Sequence, residues 1–265
     1  MADQPRSSGS VVLYEIREGN IAVVTLNRPQ VRNAVNSEIT QALNLAVKQT
    51  EADGKICAVI LTSAGDRAFC AGADLAEIAA GRAALLETSD GGFAGFAHAP
   101  RVKPWIAAVR GHTVGGGFEL ALACDMIVAA EDAQFGLPEV KRGLLAGAGG
   151  IYRLPRAIPR HVALEMVATG TPINAARAAA LGLVNRVVPP DQVLTSALEL
   201  GRAIAANGPL AVRQSLRVAR QAFDLTEAEL RVLSDSHGRV VFDSEDAREG
   251  AEAFIQKRAP QWRGC

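Results

Sequence analysis

The most constraining stretch of this chain is KPWIAAVRGHTVGGGFELALACDMIVAAEDAQFGLPEVKRGLLAGAGG, Lys103 to Gly150, where an apolar run, three consecutive glycines and two carboxylates follow closely. Trp105 to Val109 has strand length and is uninterruptedly apolar. Arg110 to Val114 leads from it into Gly115-Gly116-Gly117, and Phe118 to Cys124 reads as a helix. A strand, a glycine turn and a helix in that order leave the first N–H groups of the helix unpaired. They also aim the positive end of its dipole at whatever lies in front. Glycine has no Cβ, so an oxygen with developing negative charge can approach the backbone at Gly116 closely. A glycine triplet alone equally suits a tight turn needing positive φ.

Glu119 narrows the choice. It sits in the first turn of a helix otherwise built from Phe118, Leu120, Ala121, Leu122 and Ala123, a composition that predicts burial. Burial disfavours ionisation and raises a carboxyl pKa towards the value a general acid or base needs near neutrality. An exposed glutamate there would only complement the helix dipole. Glu139 follows Gly136-Leu137-Pro138, a stiff turn that can point one side chain back towards the glycines, so that two carboxylates share one water. Taken alone, Glu139 also fits a solvated loop acid.

The same order occurs earlier. Ile56 to Leu61 reads as a buried strand, Thr62 to Arg67 as a polar turn, and AFCAGADL, Ala68 to Leu75, as a glycine-containing turn running into a helix. The recurrence predicts a repeated ββα-type unit in an α/β chain, with two N–H-bearing turns able to face one oxygen. Asp74 is expected to cap the helix after the first turn. Val11 to Ile16 and Ile21 to Leu26 suit a hairpin, and Ser37 opens a helix with Ile39, Leu43, Ala46 and Val47 on one face, closing near Gly54. Ala76 to Pro100 shows no clear period. After Gly150 the pattern turns helical, with Val184 to Val188 as one last strand and Pro189-Pro190 as a hinge. Arg213, Arg217 and Arg220 read as a solvated basic face, and Asp125 as a residue with a local backbone hydrogen bond. Ser244 to Lys257 reads as an amphipathic helix ending the structured chain, with Ala247, Ala251 and Phe254 on one side. His98 and His112 stand near no recognisable nucleophile elbow and are left out of the chemistry.

Composition bounds the class. At 265 residues and 49% hydrophobic the chain can bury a sizeable core, and 28 basic against 28 acidic residues favour neither a nucleic-acid nor an acidic-membrane partner. Cys57, Cys70, Cys124 and Cys265 have no metal-ligand spacing, and Cys57 and Cys124 lie in apolar runs typical of buried free thiols. No metal and a reducing, cytoplasmic location are expected. Met1 to Ser10 has neither an apolar signal core nor an Arg-rich amphipathic pattern, no long apolar run follows, and no phosphate-loop or Rossmann fingerprint is present.

HTVGGGFELALACD, AEDAQFGLPE, GAGG and AFCAGADL together resemble the enoyl-CoA hydratase (crotonase) superfamily, and the resemblance runs from LNRPQVRNAV at Leu26 to AREGAEAFIQKR ending at Arg258. It implies a crotonase-like ββα spiral core over 11–188 carrying the active site and a helical trimerisation and cap region over 189–265, after an unstructured 1–10. It further implies that the N–H groups of Ala73 and Gly116 hold a thioester oxygen and that Glu119 and Glu139 form the acid–base pair. Arg32, Ala34, Ala71, Asp74, Leu75, Phe242 and Lys257 join Ala73 and Gly116 as expected contacts of the acyl-CoA. Coenzyme A enters as part of the substrate and no separate cofactor is expected. The family places an acyl-pocket wall in 76–100 and builds trimers or dimers of trimers. Keeping both glutamates favours hydration of a 2-enoyl-CoA over isomerisation, while GLPEVK and GGIYRLPR also resemble the branch acting on crotonobetainyl- or carnitinyl-CoA. A non-catalytic thioester-binding protein is the alternative of another class. Leu145-Ala146 departs from the family, which commonly has a proline before GAGG.

Overall fold

The computed structural model describes residues 9–265, so the expected unstructured N-terminus lies outside the described residues except for Gly9 and Ser10. The chain opens with the hairpin β1 (Val12–Arg17) and β2 (Ile21–Leu26), followed by α1 (Ser37–Ala52). Asn36 caps α1 by accepting from the Ile39 N–H at 3.1 Å, and Ile39, Leu43, Ala46 and Val47 form the buried face the sequence pattern predicts. Next come β3 (Ala58–Ser63), β4 (Ala68–Cys70) and α2 (Leu75–Ala79). A small ribbon, β5 (Glu87–Thr88) and β6 (Gly92–Phe93), precedes β7 (Trp105–Val109), β8 (His112–Val114) and α3 (Gly116–Leu122). A third copy, β9 (Met126–Ala130) and β10 (Gln134–Gly136), ends in a short 3₁₀ turn over Pro138–Arg142.

The recurrence is real and has a strict spatial meaning. The first strand of each unit joins a six-stranded sheet of order β1-β2-β3-β7-β9-β12, and the second joins a smaller sheet of order β11-β10-β8-β4. In the large sheet all pairs from β2 onward are parallel. Its strands are covered on both sides, hence their uninterrupted apolar sequences. Val24, Val59, Leu61, Ala107 and Val109 face the main core, whereas Ile21, Val23, Ile60, Ile106 and Val128 face a second layer with Val193 and Ala197.

The remaining chain is mainly helical: α4 (Gly150–Ala157), α5 (Arg160–Thr169), β11 (Ile173–Asn174), α6 (Ala175–Ala180) and β12 (Arg186–Val188). After them come α7 (Val193–Ala205), α8 (Pro209–Ala219), α9 (Glu227–Phe242) and α10 (Glu245–Gln256). Thr226 and Glu229 form a reciprocal capping box at the start of α9.

Five readings of the sequence need correction. Asp125 bonds non-locally: its Oδ2 accepts from the Trp105 N–H at 2.8 Å, and both its oxygens take the Arg220 guanidinium at 2.8 Å. Arg220 also donates to the carbonyls of Arg101 and Lys103, so this residue of the supposed solvated face docks the end of α8 on the core, while Arg217 is exposed. On α10 the buried residues are Asp246 and Ala253, while Phe254 is 85% exposed. The chain also stays ordered beyond that helix, because Asp246 accepts from the Arg263 and Gly264 N–H groups and Trp262 Nε1 donates to the Ala206 carbonyl. Tail packing, rather than an apolar stripe, decides which face of α10 is covered. Finally, Cys57 is only partly buried, whereas burial pushes both the Cys70 and the Cys124 thiols up to about 12.

Candidate active site

The short strands β4, β8 and β10 lie parallel in one sheet, with Ala68 and Gln134 both paired to His112 and Gly136 paired to Val114. Parallel neighbours in near register end together. Their C-terminal turns, Ala71–Asp74, Gly115 and Leu137–Glu139, therefore emerge at one edge.

The first two turns touch. A Cβ on Gly72 would lie 2.7 Å from the Gly116 nitrogen, and one on Gly117 would lie 2.1 Å from the Cys70 carbonyl oxygen. Gly115 takes φ +58°, and a Cβ there would sit 3.2 Å from Glu139 Oε1. Gly116 has ordinary φ; it is glycine because a Cβ would lie 2.6 Å from the Phe93 ring, so the nearest obstacle is the wall residue. The Ala73 and Gly116 N–H groups have no acceptor among the described residues: Gly116 opens α3, and the bridge of Ala73 to Val35 is bonded through its neighbours Gly72 and Asp74.

The first turn is held from behind by the loop containing Arg32 and Ala34. Ala71 N–H donates to the Arg32 carbonyl at 3.0 Å, Val35 N–H to that of Gly72, and Asp74 N–H to that of Val35. Asn33, fully buried, donates to the Ala64 and Ala68 carbonyls. Arg28 joins the Ala34 carbonyl at 2.7 Å to the Asp74 carboxylate at 3.2 Å. Asp74 is thus both the helix cap, accepting from the Ala76 N–H at 3.2 Å, and an anchor for this loop. Leu75 is half exposed at the first position of α2. Asn33 and Arg28 escaped sequence reasoning because their partners, the Ala64 and Ala68 carbonyls and the Asp74 carboxylate, are distant along the chain.

Both glutamates are desolvated. Glu119 is 3% exposed, and its Oε1 accepts from the Gly150 N–H at 2.8 Å. Burial pushes its pKa up to about 7, with the Glu139 charge adding and the Gly150 N–H opposing. Burial also raises the Glu139 carboxyl, whose Oε2 is buried with no hydrogen-bond partner among the described residues. With its pKa near 7, Glu119 is poised between its neutral and charged forms near neutral pH, as a group that must give or take a proton requires. Arg153 fixes the loop before α4 by donating to the Ala148 and Ala97 carbonyls, at 3.0 and 2.6 Å. Leu145 is exposed on that loop while Ala146 is buried.

Glu119, Glu139, Ala73, Gly116, Ala71, Asp74, Leu75, Arg32 and Ala34 are thus gathered by neighbouring turns. Phe242 and Lys257 belong to the outer helical layer, where α9 packs on α8 and α10 and Phe242 is 82% exposed. His112 is exposed at the start of β8, and His98 Nε2 pairs with the Tyr152 hydroxyl at 2.5 Å. Among the described residues no cluster of His, Cys, Asp and Glu has metal-binding geometry, and no helix is long and apolar enough to cross a membrane.

Known proteins share this fold. A carnitinyl-CoA dehydratase from Salmonella arizonae is 41% identical over 253 residues, covering 94% of this chain and 97% of that protein. The crystal structure of an enoyl-CoA hydratase from Mycobacterium tuberculosis H37Rv superposes with a TM-score of 0.92 at 43% identity, covering 97% of this chain and all (100%) of the other. That of a carnitinyl-CoA hydratase from Mycobacterium avium gives 0.77 at 45% identity, with coverage of 97% and 100%. With the family model described as enoyl-CoA hydratase/isomerase matching residues 16–265, the chain belongs to the enoyl-CoA hydratase/isomerase family.

Proposed function

We propose that this chain is an enoyl-CoA hydratase that adds water reversibly across the double bond of a 2-enoyl-CoA thioester. The observation that carries the reading is the meeting of two unpaired N–H groups, on Ala73 and Gly116, with two desolvated carboxyls, on Glu119 and Glu139. The N–H pair would take the thioester oxygen and stabilise the charge that gathers there as water attacks C3, an effect worth roughly 10²–10³ in rate per donor. One glutamate takes the proton from water as the C3–O bond forms. The other, protonated, delivers its proton to C2 as the enolate collapses. The pair ends with the same single proton it began with. The CoA portion would run from Ala71, Ala73, Asp74 and Leu75 past Arg32 and Ala34, with Phe242 and Lys257 reaching its adenosine end. No separate cofactor is needed for this chemistry.

The exposed Val232, Phe223, Phe242, Phe254 and Ile255 of the helical layer support assembly into a trimer or dimer of trimers. A cytoplasmic setting suits the four free cysteines. The identity to the carnitinyl-CoA relatives favours one second reading, a dehydratase of carnitinyl-CoA working through the same groups.

The test is incorporation of ¹⁸O from labelled water into the 3-hydroxyacyl product over a panel of 2-enoyl-CoA chain lengths that includes crotonobetainyl-CoA. Label in a straight-chain product supports the hydratase, and label confined to crotonobetainyl-CoA selects the second reading. Conversion of a 3-enoyl-CoA without label anywhere would mark an isomerase. No turnover at all would leave a thioester-binding protein.

A further inference from the structure

A second concave site lies at the far end of α3 from Gly116. Its walls come from Ala99 and Arg101, the Leu122–Asp125 end of α3, Arg153 and Arg156 of α4, and Arg220 just after α8, and it encloses about 490 Å³. That size is typical of small-molecule sites.

Its charge is unbalanced. Four guanidiniums line the cleft, and two carboxylates answer them: Asp125 takes Arg220 at 2.8 Å and the exposed Asp224 takes Arg156 at 2.5 Å. Arg101 and Arg153 have no carboxylate within ion-pair distance among the described residues. Arg101 donates to the Phe96 and Ala123 carbonyls and lies 3.9 Å from the centre of the Phe96 ring, and Arg153 donates to the Ala148 and Ala97 carbonyls. Carbonyls and a ring face orient a guanidinium without neutralising it. Burial pulls the Arg101 pKa down, Cys124 and Asp125 oppose, and the charges of Arg153 and Arg220 add to the fall. Three mutually repelling cations, Arg101, Arg153 and Arg220, thus share the single acid Asp125 in a concave wall, a geometry that focuses positive potential into the cleft. Fixing carbonyls alone would not call for so much charge, and each guanidinium keeps donors that the carbonyls do not use.

We propose that this cleft is a binding site for a small oxyanion, a carboxylate or a phosphate group, held by Arg101, Arg153 and Arg156. Arg153 also holds the loop beside Glu119, so the variants that separate this site from the proposed reaction are those of Arg101 and Arg156.

The full-length protein should be titrated with sodium phosphate and, separately, sodium succinate, following Tm and calorimetric heat, with sodium chloride at matched ionic strength as reference. A saturable rise with a Kd of roughly 1 mM or tighter is expected for at least one of them. Saturation by phosphate alone assigns a phosphate-bearing ligand, and saturation by succinate alone a carboxylate. Arg101→Gln and Arg156→Gln should each weaken binding by roughly 10-fold or more, the worth of one hydrogen bond to a charged group. Arg156 is an exposed side chain, so its variant decides the matter if Arg101→Gln does not fold. A rise reproduced by chloride, or wild-type affinity retained in the folded variants, overturns the proposal.

Discussion

Replacing Glu119 by glutamine should make the protein more stable at alkaline pH while removing its activity. The ordinary carboxyl value is 4.5 and burial in the fold raises it to about 7. Below 4.5 the carboxyl is neutral in both folded and unfolded chains and costs nothing. Between those values the folded state binds the extra proton, so stability falls as pH rises through the window, and the full cost is present above 7. A gap of about 2.5 pK units at roughly 1.4 kcal/mol each gives about 3 kcal/mol. Glutamine carries no charge and still offers an oxygen to the Gly150 N–H, so its variant escapes this cost. The quantity to measure is the difference in unfolding free energy between variant and wild type, from urea titrations at fixed protein concentration between pH 4.5 and 8.5. That difference should move by about 3 kcal/mol in favour of the variant across the range, equivalent to several degrees in Tm. Packing losses in the variant are independent of pH and drop out. Turnover should fall by roughly 10²–10⁴, the usual worth of a positioned acid or base. Parallel stability curves, constant to within about 0.5 kcal/mol over the whole range, would refute the desolvated-carboxyl argument whatever the activity does.

Glu139→Gln should lower hydration by a similar roughly 10²–10⁴, and the double variant should lose far less than the product, because groups acting as a unit are not additive; multiplicative losses in kcat would argue for independent roles. Gly116→Ala should reduce kcat by roughly 10²–10³ and also lower Tm, since its Cβ would lie 2.6 Å from the Phe93 ring. Coupling Gly116→Ala with Phe93→Leu should restore Tm but not turnover, and recovery of both would move the role from the N–H turn to the wall. Light scattering at micromolar concentration should give the mass of a trimer or hexamer, and a 27.8 kDa species would contradict the assembly.

Much of the candidate site was readable along the chain because its parts are local. The apolar run of Trp105 to Val109, the glycines after it and the Glu119 helix follow from period and turn chemistry, and Asp74 caps α2 as its position suggested. The ββα recurrence was also visible, since the strand, turn and helix order repeats within short windows. Tertiary structure alone decided that the turns meet. That depends on the parallel pairing of β4, β8 and β10, strands of three residues each, too short to carry a periodic signal of their own. It also decided that Gly150 supplies the N–H for Glu119, that Phe93 sets the limit at Gly116, and that Arg220 reaches back to Asp125. Local sequence encodes backbone preference and burial. Which distant donor meets which acceptor is fixed only when the sheets close and every buried polar group must find a partner.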